Sequence, residues 1–165
     1  QMPGVDPEQV KAYAAELVAP FERQGGETPY QVHAELQDLM QSKVGIVREG
    51  PALKEAIEAL GKLRERAERT RVDGSRAYNP GWHLSHDLRN MIDASEMVAR
   101  CALQREESRG GHTRLDFPDS AKGPGSWKYR NSLVGRTSEG ELTVGAYDKY
   151  EMPADLKALF DEGEL

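Results

Sequence analysis

The chain has few cysteines, no long apolar run and only a moderate net charge, and each of these features excludes a class of protein. The single cysteine, Cys101, allows no internal disulfide and indicates a reducing compartment. No apolar stretch approaches the roughly 20 residues that cross a bilayer, and no signal peptide opens the sequence. A net charge of −6 disfavours nucleic acid and acidic membranes as partners. We therefore expect no nucleic-acid binding and no direct membrane insertion.

The motifs of common cofactor and catalytic sites are also missing. The sequence contains no Gly-x-Gly-x-x-Gly, no phosphate loop with its lysine and no serine-centred nucleophile elbow. His83 and His86, with Asp87, lack the spacing and the glutamate of a zinc-protease helix, which favours hydrogen bonding at a helix entry. Cys101 lies among alanines and is interpreted as a small core residue. We predict no catalytic, cofactor-binding or metal-binding residue in this chain.

Apolar residues three and four apart, each series opened by a helix-start signal, predict four helices. The first begins at Asp6-Pro7 and is bent or ended by Pro20. The second begins at Thr28-Pro29 and the third at Gly50-Pro51. The fourth is expected from about Trp82 to Ser108 and is the longest. Its predicted inward-facing residues are Leu84, Leu88, Met91, Ile92, Ser95, Val98, Ala102 and Leu103.

Three long helices with short connections imply a mainly α fold, an antiparallel three-helix bundle of the spectrin-repeat type. One extra helix precedes the bundle. Beyond it, Asn131–Val134 and Leu142–Val144 are short β-like runs, which predict a β-hairpin in an otherwise irregular tail. The predicted divisions are a helical lead-in at 1–26, the bundle domain at 27–118 and the tail at 119–165. The basic stretch from Lys62 to Arg76 is interpreted as a solvated helix face rather than an anion site.

The segment from Glu107 to Pro118 carries most of the chemistry in the sequence, in the order Glu-Ser-Arg-Gly-Gly-His-Thr-Arg-Leu-Asp-Phe-Pro. We expect its glycine pair to let the backbone leave the fourth helix in a left-handed conformation. The side chains predicted to form a structural or docking motif are Glu107, Arg109, His112, Arg114 and Asp116. Two roles remain open for the arginines. They either pair internally with Glu106, Glu107 or Asp116, or present guanidinium groups to another domain.

This segment resembles a signature of the flavoprotein subunits of succinate dehydrogenase and fumarate reductase, a family that includes L-aspartate oxidase. In that family a Glu-Ser-Arg-Gly-(Ala/Gly)-His-x-Arg-x-Asp-(Tyr/Phe)-Pro run follows a helix with an Asp-Leu-x-Asn-(Met/Leu) core. The further matching stretches are Tyr30-Gln-Val-His33, Leu36-Gln-Asp-Leu-Met40, Val44-Gly-Ile-Val47, Asn79-Pro-Gly-Trp82, Asp87-Leu-Arg-Asn-Met91, Ala99-Arg-Cys-Ala-Leu103 and Trp127-Lys128. The resemblance spans about residues 28 to 134. Lys128-Tyr129-Arg130 departs from the family's usual Lys-His after the tryptophan, which bears on the subfamily.

The resemblance implies that the chain is the C-terminal helical domain of a larger flavoenzyme, and Gln1 and the incomplete last helix indicate cut points inside a longer protein. The parent would be an FAD-dependent oxidoreductase acting on CH–CH groups, interconverting succinate and fumarate. The chain alone is expected to hold no cofactor and to have no enzyme activity.

The implied partners are the flavin-binding domain of the same chain and an iron–sulfur subunit. The parent is expected on the cytoplasmic side, peripheral on the inner face of the cell membrane through partner subunits. The alternatives are a freestanding helical protein-interaction module and the equivalent domain of L-aspartate oxidase.

Overall fold

The computed structural model describes residues 4–120, 122 and 125–161, with the side chains of 159–161 left out. The first three residues of the predicted lead-in, part of the loop after Ser120 and the last four residues of the predicted tail lie outside the described residues. The helices of the described part are α1 (Pro7–Glu22), α2 (Pro29–Lys43), α3 (Gly50–Ala67), α4 (Pro80–Gln104) and α5 (Ala154–Asp161). None of them combines the length and apolarity that crossing a bilayer requires.

Local signals set the helix starts, as the sequence predicts. The Asp6 side chain accepts a hydrogen bond from the Glu8 amide at 3.0 Å, and Asn79 accepts one from the Trp82 amide at 3.1 Å. Each side chain satisfies one of the amides that a helix start leaves without an intrahelical partner. Pro20 does not end α1, which continues to Glu22.

The helices α2, α3 and α4 all pack against one another. Lys43 at the end of α2 pairs with Glu55 near the start of α3 at 2.5 Å. At the other end, Arg66 of α3 pairs with Glu35 of α2 at 2.5 Å and with Glu27 just before α2 at 2.6 Å. Neighbouring helices therefore run antiparallel. The structure confirms the predicted three-helix bundle in a mainly α fold.

The bundle core is formed by apolar stripes on the three helices. Its buried members are Val32, Leu36, Val44, Leu53, Ala56, Leu60, Leu63, Ala67, Leu88, Ile92, Ala99 and Ala102. The prediction that Val98 faces inward is wrong, because that side chain is 48% exposed. Glu96 turns inward instead and is buried between Arg64 and Arg100, at 2.7 Å from each. Burial opposes ionisation of Glu96, but these hydrogen bonds outweigh it and lower its pKa.

Two small sheets complete the fold of the described residues. Strands β3 (Arg130–Arg136) and β4 (Leu142–Asp148) pair antiparallel, which confirms the predicted hairpin. Strands β1 (Val47–Arg48) and β2 (Thr113–Arg114) pair in parallel, a pairing that is absent from the predicted fold. The parallel pair brings the segment from Glu107 to Pro118 against the start of α3.

Candidate functional site

The end of α4 is determined by a side chain ten residues further along the chain. Arg114 Nη1 donates to the carbonyls of Ala102 at 2.9 Å, Leu103 at 3.1 Å and Arg105 at 3.3 Å. The last carbonyls of a helix lack intrahelical partners, and a cation there also complements the helix dipole. The helix therefore ends at Gln104, four residues before the predicted Ser108.

The same guanidinium joins α4 to α3 through Asp116. Arg114 Nε and Nη2 donate to the two carboxylate oxygens of Asp116 at 2.8 and 2.7 Å. Asp116 Oδ2 also accepts the Gly50 amide, in the first turn of α3, at 3.0 Å. The Arg114 hydrogen bonds hold the pKa of Asp116 well below its usual range. A Cβ at Gly50 would lie 2.9 Å from Asp116 Oδ2, so this approach requires glycine.

Glu107 forms the second charged centre of the segment and is completely buried. Arg105 Nη2 and Arg109 Nε each donate to its Oε1 at 2.9 Å, and Arg109 Nη2 donates to Oε2 at 3.1 Å. Burial alone would raise the pKa of Glu107, but the hydrogen bonds from Arg109 and Arg105 outweigh it and the pKa is lowered. The carboxylate is therefore ionised at neutral pH.

The glycine pair does not end the helix, contrary to the prediction. It forms a tight turn between Arg109 and His112, whose backbones exchange hydrogen bonds of 2.8 and 3.1 Å. Gly110 has a φ of +58°, in the region that glycine adopts without strain. The turn directs His112 back towards α4 and β1.

His112 is buried and lies between two elements. Arg48 Nη1 is 2.7 Å from its Nδ1, and its Nε2 is 2.9 Å from the carbonyl oxygen of Arg105. A guanidinium can only donate, so Nδ1 accepts and Nε2–H donates to the carbonyl, which describes a neutral imidazole. Burial lowers the pKa of His112, and the positive charges of Arg48, Arg105 and Arg114 lower it further.

We expect this contact to make the stability of the domain depend on pH. The folded pKa of His112 lies below its unfolded value of about 6.5. Its contribution is therefore fully present above about pH 6.5 and is lost as the pH falls towards the folded pKa. Urea unfolding between pH 5 and 7.5 measures this. The variant His112→Gln should show a shallower fall in unfolding free energy than the wild type below pH 6.5, and equal slopes would contradict this role.

The five predicted residues thus form one cluster with residues that the prediction missed. We call it the arginine cluster: Arg48, Arg105, Glu107, Arg109, His112, Arg114 and Asp116. Arg48 directly follows the Val44–Val47 stretch that resembles the family, and Arg105 directly precedes the Glu106-Glu107 pair. Their position next to these stretches was the one sequence feature that could have predicted them. Ser108 supports the cluster, since its hydroxyl accepts the Arg114 amide at 2.8 Å and donates to the Phe117 carbonyl at 2.9 Å.

The histidines at the start of α4 serve helix packing. Trp82 Nε1 lies 2.7 Å and His86 Nε2 3.2 Å from the carbonyl oxygen of Leu17, which ties α1 to α4. His83 contacts the Trp82 ring edge-on at 4.9 Å between centroids. Within the described ranges, no three His, Cys, Asp or Glu side chains are grouped to hold a metal. Cys101 is partly buried, and burial raises the pKa of its thiol, the opposite of an activated nucleophile.

Comparison with known proteins identifies the family. The family model "Fumarate reductase flavoprotein C-term" matches residues 33–155. The chain belongs to this family. The match begins inside α2 and contains the rest of the bundle, the arginine cluster and the β3–β4 hairpin, and it confirms the resemblance on which the prediction relied.

The relatives of this flavoprotein C-terminal domain are much longer proteins. The fumarate reductase flavoprotein subunit of Mycobacterium tuberculosis is 37% identical over 123 residues, which cover 74% of this chain and 21% of that protein. L-aspartate oxidase of Yersinia pestis is 33% identical over a shorter match of 93 residues, covering 54% of this chain and 16% of that protein. The chain therefore spans about a fifth of the length of these relatives.

Solved structures of longer proteins contain a domain with the fold of this chain. Mycobacterium smegmatis Sdh1 in complex with UQ1 has a TM-score of 0.80 and 38% identity, covering 98% of this chain and 27% of that chain. Escherichia coli quinol fumarate reductase has a TM-score of 0.73 and 25% identity, covering 92% and 27%. Adenylylsulfate reductase of Archaeoglobus fulgidus, at 20% identity and a TM-score of 0.74, shares the fold.

Proposed function

We propose that this C-terminal domain packs on the flavin-binding domain of a succinate dehydrogenase or fumarate reductase flavoprotein subunit and supports assembly of that subunit. The observation that carries this role is the internal pairing of the arginine cluster. Arg114 and Asp116 join α3 and α4 to the segment between Glu107 and Pro118, and Glu107 pairs with Arg105 and Arg109 at the start of that segment. The cluster therefore acts as a structural support.

The described residues do not fit a flavin dinucleotide. A dinucleotide phosphate needs a Gly-rich turn and free amides at a helix start. Here the amides of Glu8 and Trp82 are capped by Asp6 and Asn79, and the Gly50 amide is bonded to Asp116. FAD belongs, in this proposal, to the flavin-binding domain of the parent, and no step of the chemistry is assigned to this chain.

The parent is proposed to interconvert succinate and fumarate and to pass electrons to an iron–sulfur subunit, held through partner subunits at the cytoplasmic face of the cell membrane. Support comes from relatives named as fumarate reductase and succinate dehydrogenase flavoprotein subunits. The division into a lead-in at 1–26, a bundle at 27–118 and a tail at 119–165 belongs to the same proposal. The hydrogen bond from Trp82 Nε1 to the Leu17 carbonyl joins α1 to α4 and supports placing the lead-in beside the bundle.

Purification of the longer protein that contains this chain tests the proposal. We expect that protein to carry flavin absorbance and to reduce a dye when succinate is added, while the 165-residue chain alone does neither. Dye reduction with L-aspartate instead of succinate would indicate an L-aspartate oxidase. A stoichiometric flavin on the 165-residue chain, or a longer protein without flavin, would contradict the proposal, and the second result would favour a freestanding interaction module.

A further inference from the structure

The two parallel strands beside the arginine cluster have two different faces. Val47 pairs with Thr113 and Arg48 with Arg114, so side chains alternate across the ladder. Arg114 turns inward and is 2% exposed, while Val47 and Leu115 are each 57% exposed. We call this second side the outer face, made of Val47, Thr113 and Leu115.

An uncovered outer face is unusual for strands that pair in parallel. Parallel sheets occur almost only where both faces are covered, because their strands are apolar on both sides. One side of β1 and β2 is covered here by the ends of the bundle helices and by the arginine cluster. The outer face carries two exposed aliphatic side chains, Val47 and Leu115, beside Thr113, and none of the three is charged. Its chemistry therefore fits an apolar protein surface and does not fit an acidic or basic partner.

The remainder of the parent chain is the occupant that the comparisons favour. The aligned segment is 21% of the Mycobacterium tuberculosis relative, so about four-fifths of that protein lies outside the match. We propose that the outer face of β1 and β2 is the surface on which apolar side chains of the flavin-binding domain pack. This inference rests on the proposed function and names the contact surface within it. The rigid cluster behind β1 and β2 then fixes the position of that surface relative to the bundle.

Thiol labelling tests this contact without disrupting it. Cys101→Ala provides a cysteine-free background for this chain, into which Val47→Cys is introduced. The matched control is Glu139→Cys, an exposed polar position in the β3–β4 turn. Maleimide labelling of each site is followed by peptide mass spectrometry in the 165-residue chain and in the longer flavoprotein. We expect Val47→Cys to react about tenfold or more slowly in the longer protein, because a covered thiol is less accessible, and Glu139→Cys to react equally in both.

Two other results would contradict the inference. Equal labelling of Val47→Cys in both proteins, with flavin present in the longer one, would leave the proposed function intact and remove this surface from it. Protection of Val47→Cys in the 165-residue chain that disappears on dilution would show that a second copy covers the face. Absence of flavin in the longer protein would overturn the proposed function itself.

A second variant separates contact from folding. Val47→Asp should leave the melting temperature of the 165-residue chain unchanged, because the side chain is already 57% exposed there. The same substitution should lower the melting temperature of the longer protein, where it would bury a carboxylate in an apolar contact. An equal shift in both proteins would indicate a local folding defect and would contradict the proposed surface.

Discussion

Replacing Arg114 with alanine is expected to lower the free energy of unfolding by about 3–5 kcal/mol, the range typical of removing one partner of a buried ion pair. Arg114 is 2% exposed and donates to three carbonyls at the end of α4 and to both oxygens of Asp116. Alanine leaves the carbonyls at the end of α4 without this donor and leaves Asp116, which is 33% exposed, without its bidentate partner. Urea unfolding followed by far-ultraviolet circular dichroism measures the loss.

Two further variants show whether the effect comes from the geometry of the guanidinium. Arg130→Ala removes an Arg–Asp pair with side chains 42% and 78% exposed, and should cost less than about 1 kcal/mol. Arg114→Lys keeps the charge without the planar fork, and should be intermediate. If Arg114→Ala costs no more than Arg130→Ala, the contact does not hold the two helices together.

Helix starts and the bundle could be predicted because their causes are local in sequence. Asp6 and Asn79 cap the helices that follow them within three residues, and a proline occupies the first turn in each case. The apolar stripes repeat over several turns, so the period of 3.6 residues is visible in the sequence. The hairpin was also predicted from local sequence, because two short β-like runs are separated by a short polar turn.

The elements that sequence reasoning missed depend on distant residues. Strands β1 and β2 have two residues each, too few for a period of two, and their partners lie 66 positions apart. The end of α4 depends on Arg114, which lies outside the helix and donates hydrogen bonds to its last carbonyls. Glu96 was not expected inside, because its burial requires Arg64 from another helix. The family signature supplied five members of the arginine cluster but not Arg48 or Arg105. Internal pairing of Arg109 and Arg114 was one of two alternatives that the sequence left open, and the structure shows it.

The pairing within the cluster leads to a distinction between its two charged centres. Arg114 joins separate helices, whereas Glu107 neutralises two arginines from neighbouring positions along the chain. Loss of Arg114 leaves three backbone carbonyls at the end of α4 without this donor, and these are fixed in place, although Asp116 is 33% exposed and reaches water. Loss of Glu107 leaves Arg105 and Arg109, which are 29% and 31% exposed and can turn towards solvent. We therefore expect a large but smaller effect at Glu107.

Glu107→Ala should lower the free energy of unfolding by about 2–3 kcal/mol at pH 7, below the full range for a buried ion pair because its partners are partly solvated. Arg109→Ala is the milder substitution for comparison with Glu107→Ala, because Arg105 still donates to the Glu107 carboxylate at 2.9 Å. It should cost less than Glu107→Ala and, in the longer protein, weaken stability or assembly before turnover. An unchanged melting temperature with a large loss of turnover would contradict that order.

The pH dependence identifies the charge of Glu107 as the cause. Its folded pKa is lowered from 4.5, so its contribution is present above that value and is lost as the pH falls through the folded pKa. Glu107→Gln keeps the shape without the charge. The difference in unfolding free energy between wild type and Glu107→Gln should therefore be greatest near neutral pH and shrink as the solution is acidified below pH 4.5. Because Asp116 and Glu96 also have lowered pKa values and titrate in both proteins, the comparison isolates Glu107. A difference that stays constant from pH 7 to pH 3 would mean that packing, and not the ion pairs with Arg105 and Arg109, accounts for the loss.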